Sequence, residues 1–236
     1  MSEMPSALLD VVAARRGHFQ LESGHHGALW LDLDALFTEP RRIAPFVSGL
    51  ASAIRPHAVS AVCGPLLGGA FLAQLVAHAL DVEFLFTERL MHAGGTGLYP
   101  ARYRLPPALA SQVRDRRVAM VDDVLSAGSA LRGTFTELLA CGATPVVAGA
   151  LLMLGSAGAD FFDAAGVAVV AGEREPYELW VPAGCPLCAS GIPLTDVASA
   201  TLPPAALEGR HVDTITADRR PQSPRTLAAD PRGSTV

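Results

Sequence analysis

The chain has 236 residues, a formal net charge of −5 and a hydrophobic content of 50%, enough for one sizeable α/β core with appendages. The mildly acidic balance gives no basic footprint for nucleic acid or for an anionic membrane surface. No apolar run reaches the length of a membrane span. The opening residues M-S-E-M-P-S-A-L-L-D lack the basic and apolar regions of a secretion signal, so a cytoplasmic location is expected. Every basic side chain is arginine or histidine, so no lysine can serve a phosphate or a reaction here.

Residues 6–16 place Leu8, Leu9, Val12 and Ala13 on one side of a predicted helix. Gly17 and Ser23-Gly24 are turn signals, and Trp30-Leu31-Asp32-Leu33-Asp34 alternates like a strand. A helix is predicted over residues 40–55, with Pro40 near its start and Ile43, Phe46, Val47 and Leu50 inward. Residues 59–63 read as a strand, followed by the loop Gly64-Pro65-Leu66-Leu67-Gly68-Gly69 and a helix over 70–79. The next strand covers 82–87. Residues 88–104, E-R-L-M-H-A-G-G-T-G-L-Y-P-A-R-Y-R, form a connection that is long and glycine-rich in its middle, the character of a lid. Strands are predicted at 118–121, 146–153 and 167–171, with a short helix at 161–165. Strands alternating with helices over 58–171 imply a mostly parallel sheet covered on both faces. Ligands bind such sheets at the carboxyl ends of the strands, the edge that holds loops 64–69, 88–104 and 122–130.

The most informative stretch is residues 117–134, R-V-A-M-V-D-D-V-L-S-A-G-S-A-L-R-G-T. An apolar strand runs into two adjacent carboxylates, Asp122 and Asp123. A loop of small residues follows, Ser126-Ala127-Gly128-Ser129-Ala130. Then comes a helix with Leu131, Phe135, Leu138 and Leu139 on one face, closed by Gly142 as a C-cap. Backbone N–H groups at a helix N-terminus and the helix dipole favour an anion. Small side chains admit a phosphate close to the backbone, and the carboxylates can accept hydrogen bonds from ribose hydroxyls.

This stretch resembles the phosphoribosyl-diphosphate (PRPP) signature of type I phosphoribosyltransferases: a hydrophobic strand, two acidic residues, two aliphatics and a Thr/Ser-x-Gly-Thr/Ser loop. The version most like it is that of the orotate phosphoribosyltransferases. The resemblance implies an α/β fold with a central mostly parallel sheet and helices on both faces, the type I phosphoribosyltransferase fold. A small N-terminal hood (17–36) would be added to a core (40–171) and a C-terminal C-x-x-C segment (172–196), the three making one domain over 1–196. It implies transfer of the phosphoribosyl group from PRPP to a nucleobase, orotate first, with Mg²⁺ arriving on the substrate's phosphates and a homodimer as the working unit. Another base, or a non-catalytic PRPP-binding regulator, is the alternative.

By the same resemblance, Asp122 and Asp123 bind the ribose hydroxyls and are catalytic, and residues 126–130 hold the 5′-phosphate. Gly64, Pro65, Leu66, Leu67 and Gly68 hold the pyrophosphate. The family's lid carries a basic R-K-x-x-K-x-H run that is not intact here, where Arg89, His92, Arg102 and Arg104 are the available cations. Of these Arg89, with His92 if the loop is shortened, stands near a family position. The hairpin G-H-F-Q-L-E-S-G, carried by Gly17, Phe19, Leu21, Ser23 and Gly24, resembles the family's hood over the base. Three family cations are replaced: Glu22 stands where lysine is usual, Gly68 where lysine is frequent, and Gly155 near an arginine that meets the base carboxylate. A carboxylate at 22 repels an anionic base.

The chain has four cysteines. Cys63 and Cys141 read as small core residues. Cys185-Pro186-Leu187-Cys188 is a C-x-x-C knuckle that supplies two of the four ligands of a structural zinc site. Histidines or a second subunit could complete it, and a redox role or a plain turn are the other readings. The W-x-P-x-x-C-P-L-C-x-x-G-x-P-L tail resembles the end of some bacterial orotate phosphoribosyltransferase-like chains. Beyond residue 197 periodicity is lost, and the segment to 236 reads as a disordered tail.

Overall fold

In the computed structural model the residues described are 8, 12–33, 36–90 and 97–196. The tail expected after 197, His92 and Asp34 lie outside them. Strands β1 (Ala13–Gln20) and β2 (His26–Asp32) form an antiparallel hairpin. From residue 13 onward the predicted first helix is therefore a strand. Ala14, Arg15 and Arg16 favour helix locally, but they pair with Leu31, Trp30 and Leu29 across the ladder, and tertiary pairing overrides such weak preferences. The register shifts between Arg16 and Phe19, which makes a bulge at Gly17 and His18.

Helix α1 (Pro40–Ile54) has proline in its first turn and buries Ile43, Val47, Leu50 and Ile54 as one stripe. The chain continues through β3 (Ala61–Pro65), α2 (Gly68–Leu80), β4 (Glu83–Leu90), β5 (Arg102–Arg104) and the single turn α3 (Pro107–Ala110). It then forms β6 (Arg117–Leu125), α4 (Ser129–Ala140), β7 (Thr144–Leu154), α5 (Ala157–Ala164) and β8 (Ala168–Glu175). A helical turn α6 (Pro186–Ala189) and the two-residue strand β9 (Thr195–Asp196) complete the described chain.

The larger sheet has the order β5-β4-β3-β6-β7-β8, parallel throughout except for β5, which runs antiparallel on the edge. The smaller sheet has the order β2-β1-β9, with β9 parallel to β1. Alternation along β6 sends Ala119 and Val121 into one core with Leu50, Ile54, Leu72 and Val76. Val118 and Met120 enter the other with Leu131, Leu138 and Phe162. Both faces are covered, which is why this strand reads as a continuous apolar run.

Two boundaries differ from expectation in ways that bear on function. β6 does not stop before the acidic pair: Asp122 is still in the ladder, opposite Ala150. β4 runs on to Leu90, and β5 pairs with its end (Arg89 opposite Tyr103), so both ends of the expected lid loop form a two-stranded ribbon. Among the described residues, no helix is long and apolar enough to cross a membrane.

Phe162 is 0% exposed and packs edge-on against Phe135 and Phe161. Phe162→Ala should lower unfolding free energy by about 3–5 kcal/mol through lost burial and a residual cavity, as read by denaturant titration.

Candidate active site

At the carboxyl end of β6 lies a cleft of about 260 Å³. One wall is the signature stretch, with Asp122, Asp123 and residues 126–130; the facing wall is the hood loop Leu21–Ser23 with Leu29, Trp30, Leu31 and Leu33. Leu154 and Tyr177 close one end. The cleft is therefore shared between the core and the hairpin.

Gly128, at φ 77°, is the residue from which α4 starts. On either side of it, Ser126 Oγ and Ser129 Oγ are buried and have no hydrogen-bond partner. A buried hydroxyl without a partner costs about 1–3 kcal/mol. Two of them beside a helix N-terminus, lining a cleft, suit the oxygens of an anionic ligand. One turn into α4, the Arg132 guanidinium lies 4.3 Å from the centre of the Tyr99 ring and 4.2 Å from that of Phe161. Its Nη2 donates to the Ala157 carbonyl at 3.0 Å, so a fixed positive charge sits behind the loop.

Asp122 is half-buried. Burial, and next the neighbouring charge of Asp123, hold its carboxyl well above the ordinary carboxylate range. Asp122 Oδ1 accepts from the Asp123 amide at 3.1 Å, and Asp123 Oδ1 from the Val124 amide at 2.8 Å. The pair presses on the start of α2. A Cβ built on Gly68 would overlap the Asp123 carboxylate, and one on Gly69 would lie 2.7 Å from Asp122 Oδ1. A side chain at 68 would have to move the Asp123 carboxylate from where it lies. Gly64 and Pro65 end β3, and Leu66 and Leu67 form the turn between β3 and α2. The Leu66–Leu67 peptide is cis, and Leu67 is 67% exposed. This loop meets the acidic pair through Gly68 and Gly69 but does not line the cleft itself.

The lid ribbon is joined to the hood. Tyr103, buried on β5, donates its hydroxyl to Glu22 Oε1 at 2.9 Å, and Arg89 Nη1 lies 3.6 Å from Glu22 Oε2. The Tyr99 amide donates to the Ser23 carbonyl at 2.9 Å. Burial, followed by the Glu22 charge, pushes the Tyr103 hydroxyl upward, so it stays a donor. Glu22 is thus an engaged carboxylate rather than the bare repelling charge expected from the sequence. Its ion pair is half exposed and worth at most about 1 kcal/mol. Arg102 and Arg104 flank Tyr103 and are exposed, on the other face of the strand.

Gly155 has φ +67°, and a Cβ there would lie 2.5 Å from the Tyr177 carbonyl oxygen. The Tyr177 hydroxyl donates to the Leu29 carbonyl at 3.2 Å. Position 155 therefore cannot carry an arginine past Tyr177, and an apolar wall of Leu29, Leu31, Leu33, Leu154 and Tyr177 stands where the family's cation was expected. Among the described residues, no Lys, Arg or His lines the cleft.

Of the remaining expected residues, Cys63 is buried and burial pushes its thiol upward. Cys141 is half-buried against Glu137. Cys185 and Cys188 lie beside His18 and His26 of the hairpin, not on the cleft wall. Reasoning from the sequence missed Tyr103, Tyr177 and Arg132. Tyr103 had a signal, since R-Y-R after a lid is an alternating strand with one apolar face; Tyr177 had none.

No protein-family model matches the chain. It is 29% identical over 188 residues to the orotate phosphoribosyltransferase of Carboxydothermus hydrogenoformans, covering 79% of this chain and 91% of that one. Against the orotate phosphoribosyltransferase of Thermotoga maritima it is 29% identical over 181 residues, covering 77% and 89%. Among solved structures, the orotate phosphoribosyltransferase of Aeropyrum pernix superposes with a TM-score of 0.53 at 23% identity, covering 69% of this chain and 88% of that one. The adenine phosphoribosyltransferase of Trypanosoma brucei superposes with a TM-score of 0.55 at 17% identity, covering 74% and 82%.

The raised carboxyl of Asp122 has a definite consequence for stability. In the unfolded chain it ionises near pH 4; in the folded chain it holds its proton to higher pH. The folded state therefore loses stability as pH rises from about 4 through the folded value. Asp122→Asn should raise the melting temperature at pH 7, and the gain should vanish below about pH 4. Melting curves of both proteins across that range check it.

Proposed function

We infer that this chain is a type I phosphoribosyltransferase that moves the 5-phosphoribosyl group of PRPP onto a nucleobase, orotate, giving orotidine 5′-monophosphate and diphosphate. The observation that carries this reading is the pair of unpartnered, buried serine hydroxyls at the start of α4, next to two carboxylates at the end of a central parallel strand. Ser126, Ser129 and the amides of 127–130 take the 5′-phosphate, backed by the Arg132 charge. Asp122 and Asp123 accept hydrogen bonds from the ribose 2′- and 3′-hydroxyls. The negative charge of Asp123, joined by that of Asp122 where it is ionised, stabilises the positive charge that develops at the anomeric carbon as its bond to the diphosphate breaks.

The base nitrogen forms the new bond at the same carbon, and its proton leaves to solvent before or with that step. The backbone amides of Leu67 and Gly68, in the turn that leads into α2, receive the diphosphate. The side-chain oxygens of the cleft, carboxylates of Glu22, Asp122 and Asp123 and hydroxyls of Ser23, Ser126, Ser129 and Tyr177, suit a hard cation such as Mg²⁺. Bound through PRPP, that ion would neutralise charge on the leaving diphosphate. The ribbon of β4 and β5, tied to Glu22, closes over the cleft and keeps water from PRPP. The chain works as a homodimer, to be read from its mass in solution.

A second reading concerns the acceptor alone: a base without a carboxylate. The apolar wall and the absence of a cation among the described lining residues favour it. Diphosphate release from PRPP and Mg²⁺ with a panel of bases separates the two. Release with orotate supports the first, and release only with an uncharged base the second. PRPP binding with no release for any base would overturn transfer altogether. In the active pairing, Asp123→Asn should lower kcat about 100-fold or more while leaving the melting curve near that of the parent.

A further inference from the structure

We propose that His18, His26, Cys185 and Cys188 bind one structural Zn²⁺ that fastens the C-terminal knuckle to the hood hairpin. The four candidate ligand atoms, two ring nitrogens and two thiol sulfurs, all lie within 4.8 Å of one another. His18 Nε2 is 3.0 Å from His26 Nδ1, 3.4 Å from Cys185 Sγ and 3.6 Å from Cys188 Sγ; Cys188 Sγ is 3.3 Å from His26 Nδ1. A tetrahedral zinc with ordinary Zn–S and Zn–N bonds requires N···N of about 3.3 Å and N···S of about 3.5 Å. Each of these four separations is within a few tenths of an ångström of its ideal.

The donor chemistry selects the metal. Two thiolates and two imidazoles in tetrahedral array suit zinc, whereas Mg²⁺ and Ca²⁺ require oxygen. His18 Nδ1 lies 2.8 Å from the Ile192 carbonyl oxygen, so it carries the proton and donates it there. That fixes the tautomer and turns the Nε2 lone pair into the cluster, as outer partners of metal-bound histidines do. His18, His26 and Cys185 are 2%, 5% and 3% exposed, and all four positions are filled by protein. A closed set of this kind is structural, with no open position for a substrate.

The location gives the ion its task. Residues 18 and 26 stand at either side of the hairpin loop, and between them Leu21, Glu22 and Ser23 line the cleft. The knuckle comes from more than 150 residues later in the chain, as Cys185 and His18 are 167 positions apart. Binding one ion to both segments sets the geometry of the hood loop without touching the reacting groups. The site is independent of which base is transferred.

The test uses the full chain under reducing conditions. Elemental analysis should find about one zinc per chain. After chelation, Co²⁺ alone should restore a tetrahedral spectrum with a sulfur-to-cobalt charge-transfer band. Cys188→Ser, at the exposed ligand, should lose that band and weaken zinc binding at least about 10-fold. The parent chain's own spectrum stands even if a variant fails to fold. Absence of both zinc and the Co²⁺ spectrum in the reduced parent, a Cys185–Cys188 disulfide in its place, or undiminished binding by Cys188→Ser would each overturn the proposal. None of these readouts depends on turnover, so an inactive preparation with bound zinc would count against transfer and not against the site.

Discussion

Two carboxylates share the end of β6 with the backbone of Gly68 and Gly69, and the strand order leaves them no other place. β6 lies between β3 and β7, so the chain leaving β3 must turn across the acidic pair to enter α2. Any side chain at 68 would displace Asp123. Burial at this place, and next the charge of Asp123, raises the Asp122 carboxyl. A fold seeking only stability would place an asparagine or an alanine there. Keeping two like charges together at the mouth of a parallel sheet makes sense where a ligand with hydroxyl donors comes to meet them. Destabilisation at this point and the exposure of two acceptors to such a ligand have a single origin.

The second constraint is that the wall of the cleft facing the acidic pair does not belong to the core. Leu21–Ser23 and Leu29–Leu33 come from the hairpin, and Tyr177 from the segment after β8. Tyr177 decides more than its own contact. Its carbonyl occupies the space that a side chain at 155 would need, and its hydroxyl ties it to Leu29 of the hood. On the other side, Glu22 takes up Tyr103 and Arg89 of the ribbon. At two of the three departures a side chain would meet Asp123 or the Tyr177 carbonyl, and at the third stands an acid with its own partners.

The parts of the molecule that were legible in the sequence are those whose signal is local. The acidic pair, the small-residue loop and the start of α4 sit in one stretch, and their placement comes from a strand running into a helix. The alternation of core strands and helices was legible for the same reason. What was not legible depends on partners far apart in the chain. Residues 13–16 look helical until Leu29–Asp32 pairs with them. Glu22 looks repulsive until Tyr103, 81 residues later, donates to it. Gly68 and Gly155 look like missing cations until Asp123 and Tyr177 are seen to fill the space beside them. The C-x-x-C looks like half of a site because its other half is a pair of histidines on a hairpin that the local pattern does not pair.

That last separation also explains why the hood needs a fastening. A two-stranded hairpin is marginally stable by itself in water. The third strand here is two residues long, and residues 14–17 of β1 are exposed. The sheet cannot bury enough apolar surface to hold a loop in one geometry. The hydrogen bonds between His26 and Trp180, 2.8 and 3.0 Å, align the returning segment but leave two imidazoles and two thiols converging in a largely buried space. Such a cluster is costly while its lone pairs face one another, and it becomes cohesive once a single cation accepts all four. Cross-linking segments so distant in sequence also removes much of the chain entropy that opposes their meeting. A hood built this way can keep Leu21, Glu22 and Ser23 in place over the cleft, where Glu22 and Ser23 in turn hold Tyr103, Arg89 and Tyr99.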